Sequence, residues 1–436
     1  METMTSARRP DPEQHIDDLS RFVAASPSSY HAAAETARRL DEAGYTRLDE
    51  REPWGDTSGD HYVIRDGAII AWRQPAGADA GIPFRILGAH TDSPGFKLKP
   101  QPTLERSGWA QAGVEVYGGP LLNSWLDREL ELAGRVVAVD GSEHLVRTGP
   151  LLRIPQLAIH LDREVNSGLT LDRQRHTAPV FGLGDAGDLL ALLAASAGLA
   201  ATDVAGHDVL VADTQPARRF GADGQLFASG RLDNLASVHA AVTALLAAPA
   251  SAEHVSVLAA FDHEELGSAS RSGASGPFLS DILARITAGL GGTADDAARA
   301  IAGSWCLSAD AGHGVHPNYP ERHDPEVRPM LGGGPLLKIN GNQRYASDAH
   351  GAALWAALCR GAGITGQDFV SNNTVPCGST IGPLTATRLG IRTVDVGIPL
   401  LSMHSARELC HVDDPAALSA AVAVFFAGAE HEAARA

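Results

Sequence analysis

The sequence predicts an α/β fold in which one domain is interrupted by a β-rich segment. Apolar runs typical of buried strands alternate with Ala-rich helical runs on both sides of that segment. Residues 95–211 instead carry short alternating runs, and Asp140-Gly141 between two of them is a hairpin signal. A length of 436 residues also favours about two domains. We therefore predict a main domain built from residues 1–95 and 213–436, with residues 96–212 inserted into it.

The first part of the chain predicts two helices and three strands. Residues 12–45 form two helices in this interpretation, because Ser26-Pro27-Ser28 breaks the run and Ser28 or Ser29 can cap a second helix over residues 30–40. The strands are predicted at residues 61–64, 68–72 and 83–89. The last of them runs directly into His90-Thr91-Asp92.

The inserted segment and the second half of the chain predict the remaining elements. In the insert, Leu157-Ala158-Ile159-His160-Leu161 predicts a strand and residues 188–197 predict a helix. The second half predicts helices at residues 236–248 and 415–429, and strands that begin at Val255, Ser304, Leu336 and Thr393.

The overall charge and the cysteines restrict the class of protein. A net charge of −17 argues against a surface that binds nucleic acid or anionic membranes. No apolar run approaches the roughly 20 residues that a membrane span needs, and residues 1–15 do not resemble a signal peptide. The four cysteines are widely spaced and form no paired metal or redox motif, which fits a reducing compartment. We expect a cytoplasmic protein.

The most informative stretch is the predicted strand that ends in Glu264-Glu265. In open α/β sheets, ligands bind in the crevice outside the carboxyl ends of the strands. Neighbouring side chains of an extended chain point in opposite directions, so one carboxylate can bind a cation while the other moves a proton. Considered alone, the pair is better explained as a solvated acidic loop.

Other candidate metal ligands also follow predicted strands. His90, Asp310 and His404 occupy such positions, and Asp233 lies in a loop before a helix. With Glu265, these two imidazoles and three carboxylates suit two zinc ions that share a carboxylate, and the short side chain of Asp233 suits the shared position. Manganese or cobalt would accept the same ligands.

Asp92 is predicted to support this site. Residues two apart on a strand face the same side, so Asp92 can accept a hydrogen bond from the distal ring nitrogen of His90. Each candidate has an ordinary structural explanation when taken alone, such as a polar turn or a helix cap. Their joint occurrence favours a metal site.

Ten segments of the sequence resemble the aspartyl aminopeptidases, a family of dinuclear zinc exopeptidases. They are GAHTDSP (88–94), GVEVYGG (113–119), WLDREL (125–130), LAIHL (157–161), DTQP (213–216), RLDNL (231–235), HEELGS (263–268), VHPNYP (315–320), QRYAS (343–347) and MHSARE (403–408). The resemblance implies a mixed-sheet zinc-exopeptidase catalytic domain with helices on both faces, interrupted by a β-rich dimerisation domain.

The resemblance also implies roles for individual residues. One zinc would be held by His90 and Asp310 and the other by Glu265 and His404, with Asp233 bridging them. Glu264 would be the general base and acid, and Asp92 the partner of His90. Lys338, with Tyr345 nearby, would form the pocket for an acidic residue. His160 would reach into the site of a neighbouring subunit in a dodecamer built from dimers.

The implied function is a metallo-aminopeptidase that removes N-terminal Asp or Glu from peptides with a free N-terminus. Gly341-Asn342 and Pro120-Leu121-Leu122 depart from the family pattern, so a preference for neutral apolar N-termini stays open as an alternative. Two further hypotheses are a metallohydrolase that acts at a carboxyl terminus or an N-acyl group, and a noncatalytic zinc-stabilised scaffold. Lys338 could also be a solvated lysine, and His160 a core histidine.

Overall fold

The fold was analysed in a computed structural model that describes residues 10–428. Within those residues the α-helices are α1 (Pro12–Ala25), α2 (Ser29–Glu42), α3 (Leu189–Ser196), α4 (Leu232–Ala247), α5 (Phe278–Gly289), α6 (Ala294–Gly303), α7 (Ala349–Ala362), α8 (Ile381–Leu389) and α9 (Asp413–Ala427). The predicted helices near both ends of the chain and in the insert are present. The predicted end of the last helix at Ala429 lies outside the described residues.

The strands fall into two large groups and several short pairings. The first ten are β1 (Thr46–Arg47), β2 (Gly59–Arg65), β3 (Ala68–Gln74), β4 (Phe84–His90), β5 (Gly95–Arg106), β6 (Trp109–Tyr117), β7 (Leu130–Ala138), β8 (Glu143–Arg147), β9 (Val180–Leu183) and β10 (Val204–Asp213). The others are β11 (Arg218–Phe220), β12 (Leu226–Ser229), β13 (Val255–Phe261), β14 (Trp305–Ala309), β15 (Gly312–His313), β16 (Leu336–Lys338), β17 (Gln367–Phe369), β18 (Arg392–Gly397), β19 (Pro399–Leu400) and β20 (Glu408–His411).

The main sheet is mixed and has nine strands in the order β1-β2-β3-β13-β4-β14-β18-β16-β17. Its four central strands β13, β4, β14 and β18 are parallel, whereas β3 and β16 pair with them in the antiparallel direction. Because the central strands are parallel, their carboxyl ends meet at one edge of the sheet.

Helices cover both faces of the main sheet, which confirms the predicted α/β fold. On β13, Leu258 and Ala260 pack in an apolar cluster with α4, α7 and α9, whereas Val257 and Ala259 pack in a second cluster with α5 and α8. All seven residues of β13 are buried. Burial on both faces explains why this strand appears in the sequence as a continuous apolar run instead of an alternating one.

The residues between β4 and α4 build a second sheet. Six antiparallel strands lie in the order β8-β7-β10-β5-β6-β9, and they enclose a separate apolar cluster that α3 covers. The connection from β7 to β8 contains the predicted Asp140-Gly141 turn, with Gly141 at φ 85°. A positive φ of this kind favours glycine.

The predicted strand at residues 157–161 is wrong. The segment ends in a turn in which the Leu161 N–H donates to the Ala158 carbonyl at 2.8 Å, and His160 is exposed. Leu157, Ile159 and Leu161 are 61%, 50% and 75% exposed. A strand needs a neighbour to satisfy its backbone groups, and no ladder in the described part of the chain includes this segment.

Among residues 10–428, no helix has the length and apolarity to cross a bilayer.

Candidate active site

His90 is the last residue of β4 and is 1% exposed. Its Nδ1 lies 3.1 Å from the backbone carbonyl oxygen of Asp92 and 3.4 Å from Asp92 Oδ1. Both oxygens can accept a proton held on Nδ1, which leaves Nε2 as the ring atom that could bind a metal ion. Nε2 lies 3.2 Å from Asp233 Oδ1 and 3.5 Å from Asp310 Oδ1.

Asp92 orients the ring of His90 and also binds the turn that carries Glu264 and Glu265. Its carboxylate accepts hydrogen bonds from the Tyr117 hydroxyl at 2.9 Å and from the N–H groups of Glu264 and Glu265 at 3.0 and 3.2 Å. Burial opposes ionisation of Asp92, but the facing imidazole and these donors lower its pKa. Asp92 therefore ties the end of β4 to the turn that carries the two glutamates, and Tyr117 links both to the inserted sheet.

Asp233 lies at the start of α4, where its φ/ψ values are not helical and the peptide bond to Asn234 is cis. The Asn234 side chain donates to the Ala309 carbonyl at 2.8 Å, which holds this segment against the end of β14. Asp233 Oδ1 faces His90 Nε2 at 3.2 Å, whereas Oδ2 faces His404 Nε2 at 3.6 Å. The two oxygens of one carboxylate thus face two different imidazoles.

Glu264 and Glu265 follow β13 in a short 3-10 turn, Glu264–Leu266. Glu265 Oε2 lies 3.4 Å from His404 Nε2, and its side chain is 4% exposed. Glu264 Oε2 lies 3.9 Å from His90 Nε2, and its side chain is 16% exposed. Both glutamates border the adjacent cavity, but Glu264 is the more exposed of the two.

Glu408 supports two of the clustered residues at once. One carboxylate oxygen accepts from the Asp233 N–H at 2.9 Å, and the other accepts from the His404 N–H at 2.8 Å. The His404 ring is oriented by the Gly119 carbonyl oxygen, 3.0 Å from Nδ1, so Nε2 faces the cluster. Burial, with the nearby charge of Asp233, raises the pKa of Glu408 to about 8.

Asp310 and Lys338 close the cluster on the side of β16. Asp310 directly follows β14, and its N–H donates to the Val396 carbonyl on β18 at 3.0 Å. Its Oδ2 lies 3.3 Å from Lys338 Nζ, on a lysine that is only 1% exposed. The same ammonium lies 5.1 Å from the centre of the Tyr345 ring, within the range of a cation–π contact.

The shifted pKa values show that the crowded carboxylates of this cluster favour a positive charge beside them. Burial raises the pKa of Glu264 to about 7 and raises that of Glu265 well above its ordinary range. Burial opposes protonation of His404, yet the carboxylates of Asp233 and Glu265 raise its pKa to about 10. Crowded carboxylates that favour a cation between them are typical of a metal site.

The donor geometry fits metal ions. In a tetrahedral zinc site with bonds of about 2.0–2.1 Å, neighbouring ligand atoms lie about 3.3 Å apart. The four distances from Nε2 of His90 or His404 to the carboxylates of Asp233, Asp310 and Glu265 fall between 3.2 and 3.6 Å. Asp233 Oδ1 and Glu265 Oε1 are also buried without a hydrogen bond in good geometry. Three groups of ligand atoms are compact enough to hold an ion: His90/Asp233/Asp310, Asp233/Glu265/His404 and His90/Glu264/Glu265.

A cavity of about 910 Å³ opens beside the cluster. Glu264 and His404 lie at one side of it, Lys338 and Tyr345 line its wall, and Arg322 is among its further lining residues. The structure thus brings together nine of the ten predicted site residues. The tenth, His160, lies in the exposed turn of the insert and does not line this cavity.

The sequence-based selection missed three residues around the site. Tyr117 and Glu408 lie inside segments that carry the family resemblance, but nothing in their spacing indicates a hydrogen bond to Asp92 or Asp233. His313 follows Asp310 by three residues and lines the cavity. The sequence feature that could have identified His313 is its position just after a candidate ligand at a strand end.

A family model described as aminopeptidase I zinc metalloprotease (M18) matches residues 22–426. The chain belongs to the M18 aminopeptidase family. A probable M18 family aminopeptidase 2 of Streptomyces avermitilis is 55% identical over 422 residues, which cover 95% of this chain and 98% of that relative. A protein of the same description from Mycobacterium tuberculosis is 45% identical over 427 residues, covering 95% and 98%.

Solved structures agree with this assignment. A chain of the complex of Ape4 and Nbr1 is 35% identical, with a TM-score of 0.92 over 99% of this chain and 89% of that chain. A structure described as the S. cerevesiae mApe1 dodecamer is 28% identical, with a TM-score of 0.83 over 97% and 98% of the two chains. This M18 protein is therefore a zinc-dependent aminopeptidase, and the predicted fold class and family resemblance are confirmed.

Proposed function

We propose that this M18 enzyme removes N-terminal Asp or Glu from peptides by means of two zinc ions that share Asp233. The observation that carries the proposal is the placement of the two oxygens of Asp233, each toward a different imidazole. His90 and Asp310 would hold one ion, and Glu265 and His404 the other. When bound, the ions acidify water and polarise the scissile carbonyl.

Glu264 is the general base and acid in this mechanism. It follows the same strand as Glu265 but is more exposed at the cavity. Its carboxylate lies 3.9 Å from His90 Nε2, farther than any proposed ligand lies from the imidazole that it faces. It accepts a proton from the attacking water and later delivers that proton to the leaving amine. The hydrogen bond from the Glu264 N–H to Asp92 fixes the backbone of Glu264 relative to the end of β4.

The preference for an acidic residue rests on Lys338. A substrate carboxylate loses its hydration inside a cavity and needs a charge-assisted partner there. Lys338 is the buried ammonium on the cavity wall, and the Tyr345 ring beside it restricts its position. The competing candidate is a preference for neutral apolar N-termini. It is favoured by the existing contact of Lys338 with Asp310 and by Phe369 on the same wall.

Cleavage of a matched peptide panel tests this function. We expect chelator-sensitive release of Asp and Glu from free-amine peptides, with much slower release of Leu or Lys and no cleavage of N-acetylated forms. Lys338→Met should lower kcat/KM for the Asp peptide by about 10- to 100-fold, since one charge-assisted hydrogen bond is lost. The same change should alter Leu release by less than about threefold.

Two controls make that result specific. The zinc content of Lys338→Met must equal that of the wild type, because Lys338 contacts Asp310. Lys97→Met removes another ammonium, which pairs with Asp208 in the inserted sheet, and should leave the panel unchanged. Preference for Leu would support the aminopeptidase activity and contradict the proposed pocket for an acidic residue. Cleavage of N-acetylated forms would favour a different amide hydrolase, and an inert protein would favour a zinc-stabilised scaffold.

The same proposal includes a dodecamer built from dimers. Residues 96–212 would form the dimerisation domain, and His160 would reach the site of a neighbouring subunit. The exposed Leu157, Ile159 and Leu161 support this, because another copy would bury apolar side chains that are otherwise in water. The mApe1 relative is a dodecamer.

We also propose a cytoplasmic location, which the four free cysteines support.

A further inference from the structure

Asp395 is a fully buried carboxylate close to the cavity but outside the proposed metal ligands. It lies on β18, between β14, which leads to Asp310, and β16, which ends at Lys338. Val394 and Val396 on either side of it pack in the apolar cluster with α4 and α7. Because strand side chains alternate, Asp395 faces the opposite side of the sheet, where α8 packs.

The side chain of Asp395 joins two separate segments. Its Oδ2 accepts from the Ala346 N–H at 2.6 Å, and its Oδ1 accepts from the Thr380 hydroxyl at 2.5 Å. The backbone of the same residue donates from its N–H to Ser347 Oγ at 2.9 Å. Both side-chain partners are donors, which suits a carboxylate, since an ionised carboxylate only accepts.

Both segments form walls of the substrate cavity. Tyr345, directly before Ala346, lies against Lys338, and Thr380 lines the cavity itself while its hydroxyl oxygen accepts from the Gly382 N–H at 3.2 Å at the start of α8. A Cβ atom at Gly382 would lie 2.3 Å from Asp395 Oδ1. The start of α8 is therefore packed directly on the carboxylate, where the partial positive charge of a helix N-terminus also favours an anion.

We propose that Asp395 is a positioning residue for substrate binding. Its hydrogen bonds hold Tyr345 and Thr380 at fixed positions on the cavity wall relative to Lys338. The proposal rests on the proposed function, because it assigns the cavity between these walls to the N-terminal residue of the peptide. Loss of these hydrogen bonds should weaken the contacts of the cavity walls with the bound substrate and with the transition state by a similar amount. A contact of that kind affects substrate binding more than the chemical step.

Asp395→Asn tests this role, because the amide keeps the shape but cannot accept at both positions. We expect KM to rise about tenfold for whichever free-amine substrate the wild type prefers, with kcat within about twofold and zinc content unchanged. Glu131→Gln is the matched control. Glu131 is a 2% exposed carboxylate that accepts from Arg147 and Gly149 in the inserted sheet, and its loss should leave KM unchanged.

Other outcomes are equally informative. If Asp395→Asn does not accumulate as folded protein, Thr380→Val takes its place. It keeps the carboxylate and removes the hydrogen bond from the Thr380 hydroxyl to Asp395, together with the bond that this hydroxyl accepts from the Gly382 N–H. A rise in KM with unchanged kcat is expected. An unchanged KM in the folded variant, or a fall in kcat that matches the loss of kcat/KM, would overturn the positioning role alone. A wild type that cleaves no free-amine peptide would overturn the proposed function as well.

Discussion

Replacing Glu264 with glutamine should lower kcat by about 10³-fold and leave the zinc content at the wild-type level. Glutamine keeps the shape of the side chain and cannot accept or return a proton at neutral pH. Glu264 is compact with His90 and Glu265, but its carboxylate lies 3.9 Å from His90 Nε2, farther than any proposed ligand lies from the imidazole that it faces. We therefore expect the proposed ligands to hold zinc without its charge. Steady-state kinetics on the preferred peptide and metal analysis of the same sample measure both quantities.

The matched control for Glu264→Gln is Glu321→Gln. Glu321 is a 65% exposed glutamate next to Arg322, which lines the cavity, so its replacement tests a simple loss of negative charge near the substrate. It should retain full kcat. A Glu264→Gln enzyme with more than about a tenth of wild-type kcat would mean that another group moves the proton.

Replacing Asp233 with asparagine should have the largest effect on zinc binding. The amide nitrogen of asparagine has no lone pair for a metal, so only one of the two proposed sites keeps a ligand from position 233. We expect zinc to fall to about one ion per chain or less, with activity lowered by at least about 10³-fold. Metal analysis after extensive dialysis, combined with thermal unfolding, distinguishes lost ligands from lost fold.

Asp310→Asn is the informative comparison for that variant. Asp310 faces His90 only, with its other oxygen toward Lys338, so its loss should weaken one ion and spare the one near His404. Asp233→Asn should therefore bind less zinc than Asp310→Asn. Equal zinc contents in the two variants, or a wild-type zinc content in Asp233→Asn, would mean that the two ions share a carboxylate other than Asp233.

Much of the candidate site could be predicted because it lies where buried strands end. The central strands are covered on both faces, so each appears in the sequence as a continuous apolar run. Parallel strands align their carboxyl ends, which places His90, Asp310 and the Glu264-Glu265 turn at one edge without knowledge of the pairing order. The chemistry of these residues and their joint occurrence then indicated metal binding.

The supporting residues could not be predicted in the same way. Glu408 contacts Asp233 across 175 positions of sequence, and Tyr117 contacts Asp92 from a different sheet. Neither hydrogen bond follows from local spacing, because both depend on how distant elements pack. The error at residues 157–161 has a related cause: an apolar run does not show that a neighbouring strand exists in the same chain, and here the apolar side chains are exposed.

A zinc titration of the metal-free enzyme tests the shared-carboxylate site most directly. The apoenzyme would be prepared with a chelator, and release of the N-terminal residue from the preferred free-amine peptide would be followed as zinc is added. Activity should stay low at first and reach its plateau at about two zinc ions per chain. A plateau at about one ion per chain would contradict a site in which Asp233 joins two ions.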